Sequence, residues 1–168
     1  MNREMKIIYE VSNQAEKFYE NAIDLGDHAA HVLRASHRSQ MTSLENIAES
    51  TFKTSDVFDF IKKQTARFSY WRQPMPENQS APANKKVNQG FGLRLKDFLE
   101  QDLKKAVDEL CDPSCLKIDN TTDKDKQERR RIHLLLIRQF IHQMVAQYEF
   151  RVSAIGDLSS AGSSKRGS

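Results

Sequence analysis

An apolar pattern in the last third of the chain predicts a central helix. Between residues 131 and 150, apolar side chains recur at steps of three and four residues, which places them along one face of a helix. That face consists of Leu134, Ile137, Ile141, Met144 and Tyr148. Other apolar residues flank it, so we expect this helix to have packing partners on several sides. It is predicted to begin near Asp123, after a capping box formed by Thr122 and Asp125.

A second pattern near the N-terminus predicts one long amphipathic helix from Ile8 to Val32. Its apolar positions alternate in steps of three and four residues, and they are Ile8, Val11, Ala15, Phe18, Ala22, Leu25, Ala29 and Val32. So narrow a seam is also typical of a coiled coil. Alanine at alternate positions favours close packing inside one bundle over pairing with a second chain.

Three more helices are predicted between these two. The apolar face of the second helix consists of Met41, Leu44, Ile47, Ala48 and Phe52. The third helix is capped by Thr54 or Ser55, and its buried face consists of Val57, Phe60, Ile61 and Phe68. The fourth helix extends from Leu93 to Leu110 and ends before Pro113. The sequence has no alternating strand pattern. The predicted fold class is therefore all-α, a single-domain bundle of about five helices over residues 1–152.

Two stretches are predicted to lie outside regular structure. Residues 73–90 contain three of the four prolines and few apolar side chains, which is typical of a long mobile loop. Residues 153–168 are rich in serine and glycine and are expected to form a disordered C-terminal tail.

Composition restricts the functional classes. A chain of 168 residues with 38% hydrophobic content can form one domain with a core. It has no apolar run long enough for a membrane span and no apolar signal peptide, so we expect a cytoplasmic protein without a membrane partner. Cys111 and Cys115 lack a nearby histidine to complete a zinc site, so no metal or cofactor is predicted. Reduced thiols are expected, with a redox pair as the alternative.

Signals of catalysis are weak, and no catalytic residue is predicted. The sequence has no glycine-rich phosphate loop and no His-Glu-x-x-His motif. Helical ribonucleases of the HEPN type pair an arginine with a histidine further along a helix. Arg129 with His133, and Arg138 with His142, have one residue too few between them for that motif. A HEPN-like ribonuclease is the less favoured alternative, and Arg138 is expected to meet an acidic residue of another helix.

Basic and aromatic residues concentrate in two segments despite a net charge of only +3. Residues 37–72 hold six basic against four acidic side chains, and residues 127–168 hold seven against three. The candidate RNA-binding residues are Arg38, Lys63, Arg67, Arg72, Arg129, Arg130 and Arg131. His37 and Gln40 lie beside Arg38, and Tyr70 and Trp71 add aromatic rings that could stack on RNA bases. Each group alone is typical of a solvated surface. Together they predict contacts to an RNA backbone, which require charge and no base code.

Four blocks, in order, resemble the small subunit of type III-A CRISPR effector complexes. They are residues 39–47, residues 59–67, residues 96–110 and residues 140–150. Two of them read Asp59-Phe60-Ile61-Lys62-Lys63-Gln64-Thr65-Ala66-Arg67 and Phe140-Ile141-His142-Gln143-Met144-Val145-Ala146-Gln147-Tyr148-Glu149-Phe150. The family commonly has Ala-Gly-Arg where this chain has Thr65-Ala66-Arg67. The long first helix and the 73–90 loop also depart from the compact family pattern.

The resemblance implies a non-catalytic subunit of the inner filament. It would bind copies of itself and other CRISPR effector subunits, and its basic side chains would line the path of guide RNA and target RNA. Arg38, Lys63 and Arg67 lie in or beside the matching blocks. The main alternative is a helical adaptor or a homodimer that associates through the Ile8–Val32 seam and has no affinity for RNA.

Overall fold

The computed structural model describes residues 1–76 and 89–163, with side chains through residue 154. Every regular element in these ranges is helical, which confirms the all-α class. The α-helices are α1 (Arg3–Lys17), α2 (Tyr19–Leu33), α3 (Arg38–Ser50), α4 (Thr54–Arg67), α5 (Phe91–Asp97), α6 (Leu103–Leu110) and α7 (Asp123–Ser163). Short 3₁₀ turns follow α2 and α4, and a π-helical turn, Phe98–Asp102, joins α5 directly to α6.

The central position of α7 is confirmed. This helix packs against α1, α2, α3, α4 and α6. Its predicted inner face is buried, with Ile137, Ile141 and Met144 completely inaccessible to solvent. The predicted capping box is present, because the backbone N–H of Asp125 donates to the Thr122 hydroxyl at 3.1 Å and the Asp125 carboxylate accepts from the Thr122 N–H.

The helix α7 is longer than predicted. It was expected to end near Arg151, but it continues to Ser163. The disorder of residues 153–168 stays a prediction, and residues 164–168 lie outside the described part. Extending an existing helix adds one hydrogen bond for each residue fixed and needs no new nucleus. Val152 still packs in the core at 4% exposure, so the core reaches beyond the predicted end of the helix.

The predicted first helix is divided in two at Phe18. The backbone of Phe18 leaves the helical conformation (φ −96°, ψ 2°), and its ring packs edge-on against Phe98, with centroids 5.5 Å apart. This tertiary contact competes with helix continuation. At the start of α1, Ile7 is buried and Ile8 is 54% exposed, so the predicted seam was wrong at its first position. The rest of the seam faces the bundle interior.

The turn between α3 and α4 differs from the prediction at two points. The helix α3 ends at Ser50, and Phe52, predicted to lie on a buried face, is 95% exposed. Thr51 organises the turn, because its hydroxyl accepts from the Lys53 N–H at 3.0 Å and donates to the Asp56 carboxylate at 2.5 Å. The helix α4 begins at Thr54, so Lys53 occupies the N-cap position. The prediction that Thr54 or Ser55 caps this helix is wrong, because both residues lie within its first turn.

The predicted loop 73–90 is held at both described ends. The Gln73 carbonyl accepts from the Phe91 N–H at 3.2 Å and from His28 Nε2 at 2.8 Å. At Gly90, a Cβ atom would lie 2.5 Å from the Arg72 carbonyl oxygen, so the backbones are in direct contact. These contacts tie the two ends of the segment to α2 and α5, and the mobility of residues 73–90 stays a prediction. Residues 77–88 lie outside the described part.

Small residues allow α2 to approach α7 closely. A Cβ atom at Gly26 would lie 2.7 Å from the Met144 carbonyl oxygen and 2.6 Å from Gln147 Cβ. Ala22, Ala29 and Ala30 are also completely buried along α2. The Gln147 amide donates to Asp27 at 2.8 Å across the same contact. We call this contact the α2–α7 interface.

Candidate nucleic-acid interface

The beginning of α3 and the end of α4 meet at one end of the α3–α4 hairpin. The ring of His37, just before α3, stacks on the ring of Tyr70, just after α4, with centroids 3.9 Å apart and an interplanar angle of 9°. Two sequence segments predicted to carry basic and aromatic groups are therefore adjacent. We call this region, residues 37–40 with residues 67–72, the hairpin end.

Most aromatic groups of the hairpin end are used inside the protein. Trp71 is completely buried, and its indole N–H donates to the Gln40 amide oxygen at 2.5 Å. The same Gln40 amide donates to the Tyr70 hydroxyl. The interpretation of Trp71 as a group for stacking on RNA bases is therefore wrong, because its ring packs in the core against Phe91. A signal for this burial exists in the sequence, since Trp71 continues the three-four spacing of the buried face of α4.

Two cations on α4 face solvent. Lys63 and Arg67 lie one helical turn apart, and both side chains are exposed. Within the described ranges, no carboxylate lies within 4.0 Å of either charged group. Among the described residues, the charged groups of these two predicted RNA-binding residues make no ion pair or hydrogen bond.

The other two candidates near the hairpin end make exposed contacts. Arg72 Nη1 donates to the carbonyl oxygens of Thr65 at 2.8 Å and Ala66 at 3.1 Å, which satisfies acceptors at the C-terminus of α4. Arg38 Nε lies 3.1 Å from a Glu149 carboxylate oxygen on α7, and both side chains are about half exposed. An exposed pair of this kind contributes about 0–1 kcal/mol, so a phosphate can exchange for the carboxylate at little cost.

The arginine run 129–131 does not form one patch. Consecutive helical residues point about 100° apart, so the three side chains do not all lie on one face. Arg129 Nη2 donates to the Ile118 carbonyl at 2.8 Å and Arg129 Nη1 lies 3.1 Å from Asp108, whereas Arg131 pairs with Glu4 and Arg130 donates to its own helix. This run also lies about 27 Å along α7 from Glu149, at 1.5 Å per residue. It belongs to the opposite end of the bundle from Arg38.

Three members of the two arginine–histidine pairs, Arg129, His133 and Arg138, make intramolecular hydrogen bonds, and the fourth, His142, is exposed. His133 Nε2 lies 2.8 Å from the Leu99 carbonyl oxygen, and burial lowers the pKa of this imidazole. Arg138 donates to the carbonyl oxygens of Ala48 at 2.8 Å and Thr51 at 2.7 Å. The expectation of an acidic partner for Arg138 is therefore wrong, because the C-terminus of α3 presents free carbonyl groups there. His142 lies 3.5 Å from Glu45 and is mostly exposed.

The described residues offer no other reactive cluster of the kinds considered above. No group of three or more His, Cys, Asp or Glu side chains among them is placed to hold a metal ion. Cys111 and Cys115 are free thiols, and burial raises the pKa of both. A raised thiol pKa lowers the thiolate fraction and with it the reactivity at neutral pH.

Comparisons with known proteins give no family assignment. No protein-family model, no curated protein and no solved structure matches the chain significantly. The similarity to type III-A small subunits therefore stays a prediction from the four sequence blocks. In the described part of the chain, no helix has both the length and the apolar character needed to cross a membrane.

Proposed function

We propose that the chain is a non-catalytic, RNA-binding subunit of a type III CRISPR effector complex. In this proposal the hairpin end and the outer face of α4 contact the backbones of guide and target RNA. The observation that carries the RNA-binding part is the pair Lys63 and Arg67, exposed one turn apart and without a carboxylate partner in the described part of the chain. The CRISPR assignment rests on the four sequence blocks, one of which, residues 59–67, contains both of these side chains.

The chemistry of these groups suits phosphates. A lysine and an arginine at i, i+4 on one helix face can engage neighbouring phosphates of one strand. Arg38 adds a charge held only by an exposed ion pair, and Arg72 keeps donors on its second terminal nitrogen. Since Trp71 is buried, this surface offers charge more than base stacking. We therefore expect binding that depends on salt and varies little with RNA sequence.

A helical adaptor is the second candidate, but not through the seam first considered. That seam packs inside the bundle. The outer face of α1 instead exposes Met5, Ile8 and Tyr9, each more than half accessible. Such a stripe suits a protein partner. Association that depends on protein concentration, in a chain without RNA affinity, would favour this candidate.

The proposal is tested with a matched pair of charge reversals. Lys63→Glu with Arg67→Glu changes the hairpin-side pair, and Lys104→Glu with Lys105→Glu changes two exposed lysines on α6 by the same total charge. Both variants and wild type are titrated with single-stranded and duplex RNA at two salt concentrations. The titrations are repeated after mixing with the large CRISPR effector subunits.

The first variant is expected to bind RNA at least about tenfold more weakly, and the α6 control to stay within about threefold of wild type. The magnitude of the slope of log K against log salt should fall by about 1.4–1.8 for the first variant only, because each of the two lost phosphate contacts removes about 0.7–0.9. Unchanged helical circular dichroism establishes that both variants are folded. Equal losses of RNA affinity in both variants would mean that the net charge of the protein, and not this surface, determines binding. Wild-type affinity in the first variant would refute this interface.

A further inference from the structure

A groove lies at the other end of the α3–α4 hairpin, between the α3–α4 turn and the N-terminal half of α7. Its volume is about 850 Å³, which accommodates several side chains. Phe52 forms part of its wall and is 95% exposed, while Leu134 and Leu135 of α7 supply apolar surface inside it. A phenylalanine almost fully in solvent beside an open apolar groove marks a surface that a partner can cover.

The groove has one sign of charge. Lys53, Arg130, Arg131 and Arg138 line it, and none of the described residues that line it is acidic. Arg138 is bound to carbonyl groups of α3, and Arg131 pairs with Glu4. No carboxylate in the described part of the chain lies within 4.0 Å of the charged groups of Lys53 and Arg130. Two cations are therefore available at the rim.

The N-terminus of α4 adds further positive potential to the groove. Thr54 and Ser55 line the groove, and the residue before them, Lys53, makes no side-chain capping bond. The first N–H groups of α4 carry the positive end of the helix dipole. Asp56 is nearby, but its carboxylate accepts the Thr51 hydroxyl. Side-chain charges and the helix end thus favour carboxylates over cations at this groove.

We propose that this groove docks an acidic amphipathic segment of a partner protein. Apolar side chains of the segment contact Phe52, Leu134 and Leu135, and its carboxylates pair with Lys53 and Arg130. The segment is recognised in the manner of a helix laid in a groove, by anchors three or four residues apart and a charged rim. This site is separate from the hairpin end, so it does not depend on the RNA-binding proposal.

The apolar surface of the groove favours a protein partner over an RNA partner. A phosphate backbone would satisfy the cations but would leave Phe52 in water, whereas a peptide can satisfy both. A second copy of this chain is a poor complement, because its exposed apolar stripe on α1 is interspersed with Arg3 and Lys6 as well as Glu4. An acidic segment of a different protein fits the charge and the apolar surface together.

The test uses a display library of random sixteen-residue peptides selected on the full chain. Enriched peptides are synthesised, and their Kd values are measured by fluorescence anisotropy. We expect net negative peptides with apolar residues three or four apart. Phe52→Ala should weaken binding at least about tenfold, as expected for a central aromatic anchor. Lys53→Glu with Arg130→Glu should do the same. Phe150→Ala removes another exposed phenylalanine, 67% accessible, and should leave Kd within about twofold.

Several outcomes would overturn the inference. These are no enrichment, enrichment of basic peptides, or binding that survives Phe52→Ala. Concentration-dependent self-association in sedimentation that Phe52→Ala abolishes would assign the groove to a second copy. Loss of RNA affinity in Lys53→Glu with Arg130→Glu, without peptide binding by wild type, would assign it to nucleic acid. The Lys63→Glu, Arg67→Glu variant should bind the peptides as wild type does, which keeps the two proposals experimentally separate.

Discussion

The α2–α7 interface and the outer face of α4 use polar and charged residues in opposite ways. At the interface, Gln147 donates to Asp27, the Tyr148 hydroxyl donates to the Arg34 carbonyl, and Gly26 leaves no room for a Cβ atom. On α4, Lys63 and Arg67 extend into solvent. Substitutions in the first region should therefore change the free energy of unfolding. Substitutions in the second should change only what the protein can bind.

The largest expected effect is at Ile141 on the inner face of α7. This side chain is completely buried, so Ile141→Ala should lower the free energy of unfolding by about 2–5 kcal/mol through lost burial and a residual cavity. Chemical denaturation measures the change. Leu93→Ala, at a position 46% exposed, is the control and should have a much smaller effect. An unchanged denaturation midpoint in Ile141→Ala would remove the central role of α7.

His28 extends the comparison to a titratable group inside the bundle. Burial is the main cause that lowers its pKa to about 4, and the neighbouring Arg94 guanidinium acts in the same direction. Arg94 donates to Nδ1 and the ring donates from Nε2 to Gln73, so the neutral form fits the site. The unfolded state takes up a proton near pH 6.5, where the folded state does not. Stability should therefore fall as pH decreases from about 6.5 to about 4.

The loss assigned to His28 reaches about 3 kcal/mol at the acidic end, since each pKa unit corresponds to about 1.4 kcal/mol. Urea denaturation between pH 7.5 and pH 4 measures it. His28→Gln should flatten this part of the curve. A variant curve as steep as that of wild type would attribute the acid sensitivity to other groups, such as His133, whose pKa burial also lowers.

Arg138 and Arg67 compare the same residue type at a half-buried and at an exposed position. Arg138 donates to two carbonyl groups at the end of α3, so Arg138→Ala should lower stability by about 1.5–3 kcal/mol. Arg67→Ala removes a solvated charge and should stay within about 0.5 kcal/mol. Thermal or chemical unfolding of the two variants side by side gives both values. Similar losses would mean that Arg67 has a structural partner.

Gly26→Ala tests how closely α2 and α7 pack. Alanine favours a helix over glycine by up to about 1 kcal/mol, but here its Cβ would meet the Met144 backbone. Moving the helices apart should cost about 1–3 kcal/mol, so a net loss of stability is expected. Asn46→Ala, at an exposed position of α3, is the control and should be neutral or slightly stabilising. A gain in Gly26→Ala would show that the interface can relax.

The main helices of the fold follow from local patterns. The spacing of Leu134, Ile137 and Ile141 predicted α7, and the Thr122–Asp125 capping box placed its start. The break at Phe18 and the π-helical turn were not predictable in this way, because both depend on contacts with residues distant in sequence. Phe18 leaves its helix where it packs against Phe98, which belongs to that π-helical turn.

The candidate interface was predictable in composition but not in geometry. Sequence proximity correctly grouped His37 with Arg38, and Tyr70 with Arg72, yet it could not separate a buried ring from an exposed one. Trp71 lies inside because the buried face of α4 continues past its end. A run of three arginines suggested one patch, whereas a helix distributes consecutive side chains around its axis. Phe52 was missed because it shares the helical spacing of the buried residues before it.

The packing of α7 against α2 has a consequence for synthesis of the protein. Ninety residues separate Leu33 from Asp123, so the partner of α2 leaves the ribosome on the order of ten seconds after α2 itself. During that interval Ala22, Leu25 and Ala29 have no α7 surface to cover them. A nascent chain arrested before residue 123 should therefore bind chaperones and be degraded readily. Release from chaperones should coincide with the emergence of Ile137 and Ile141.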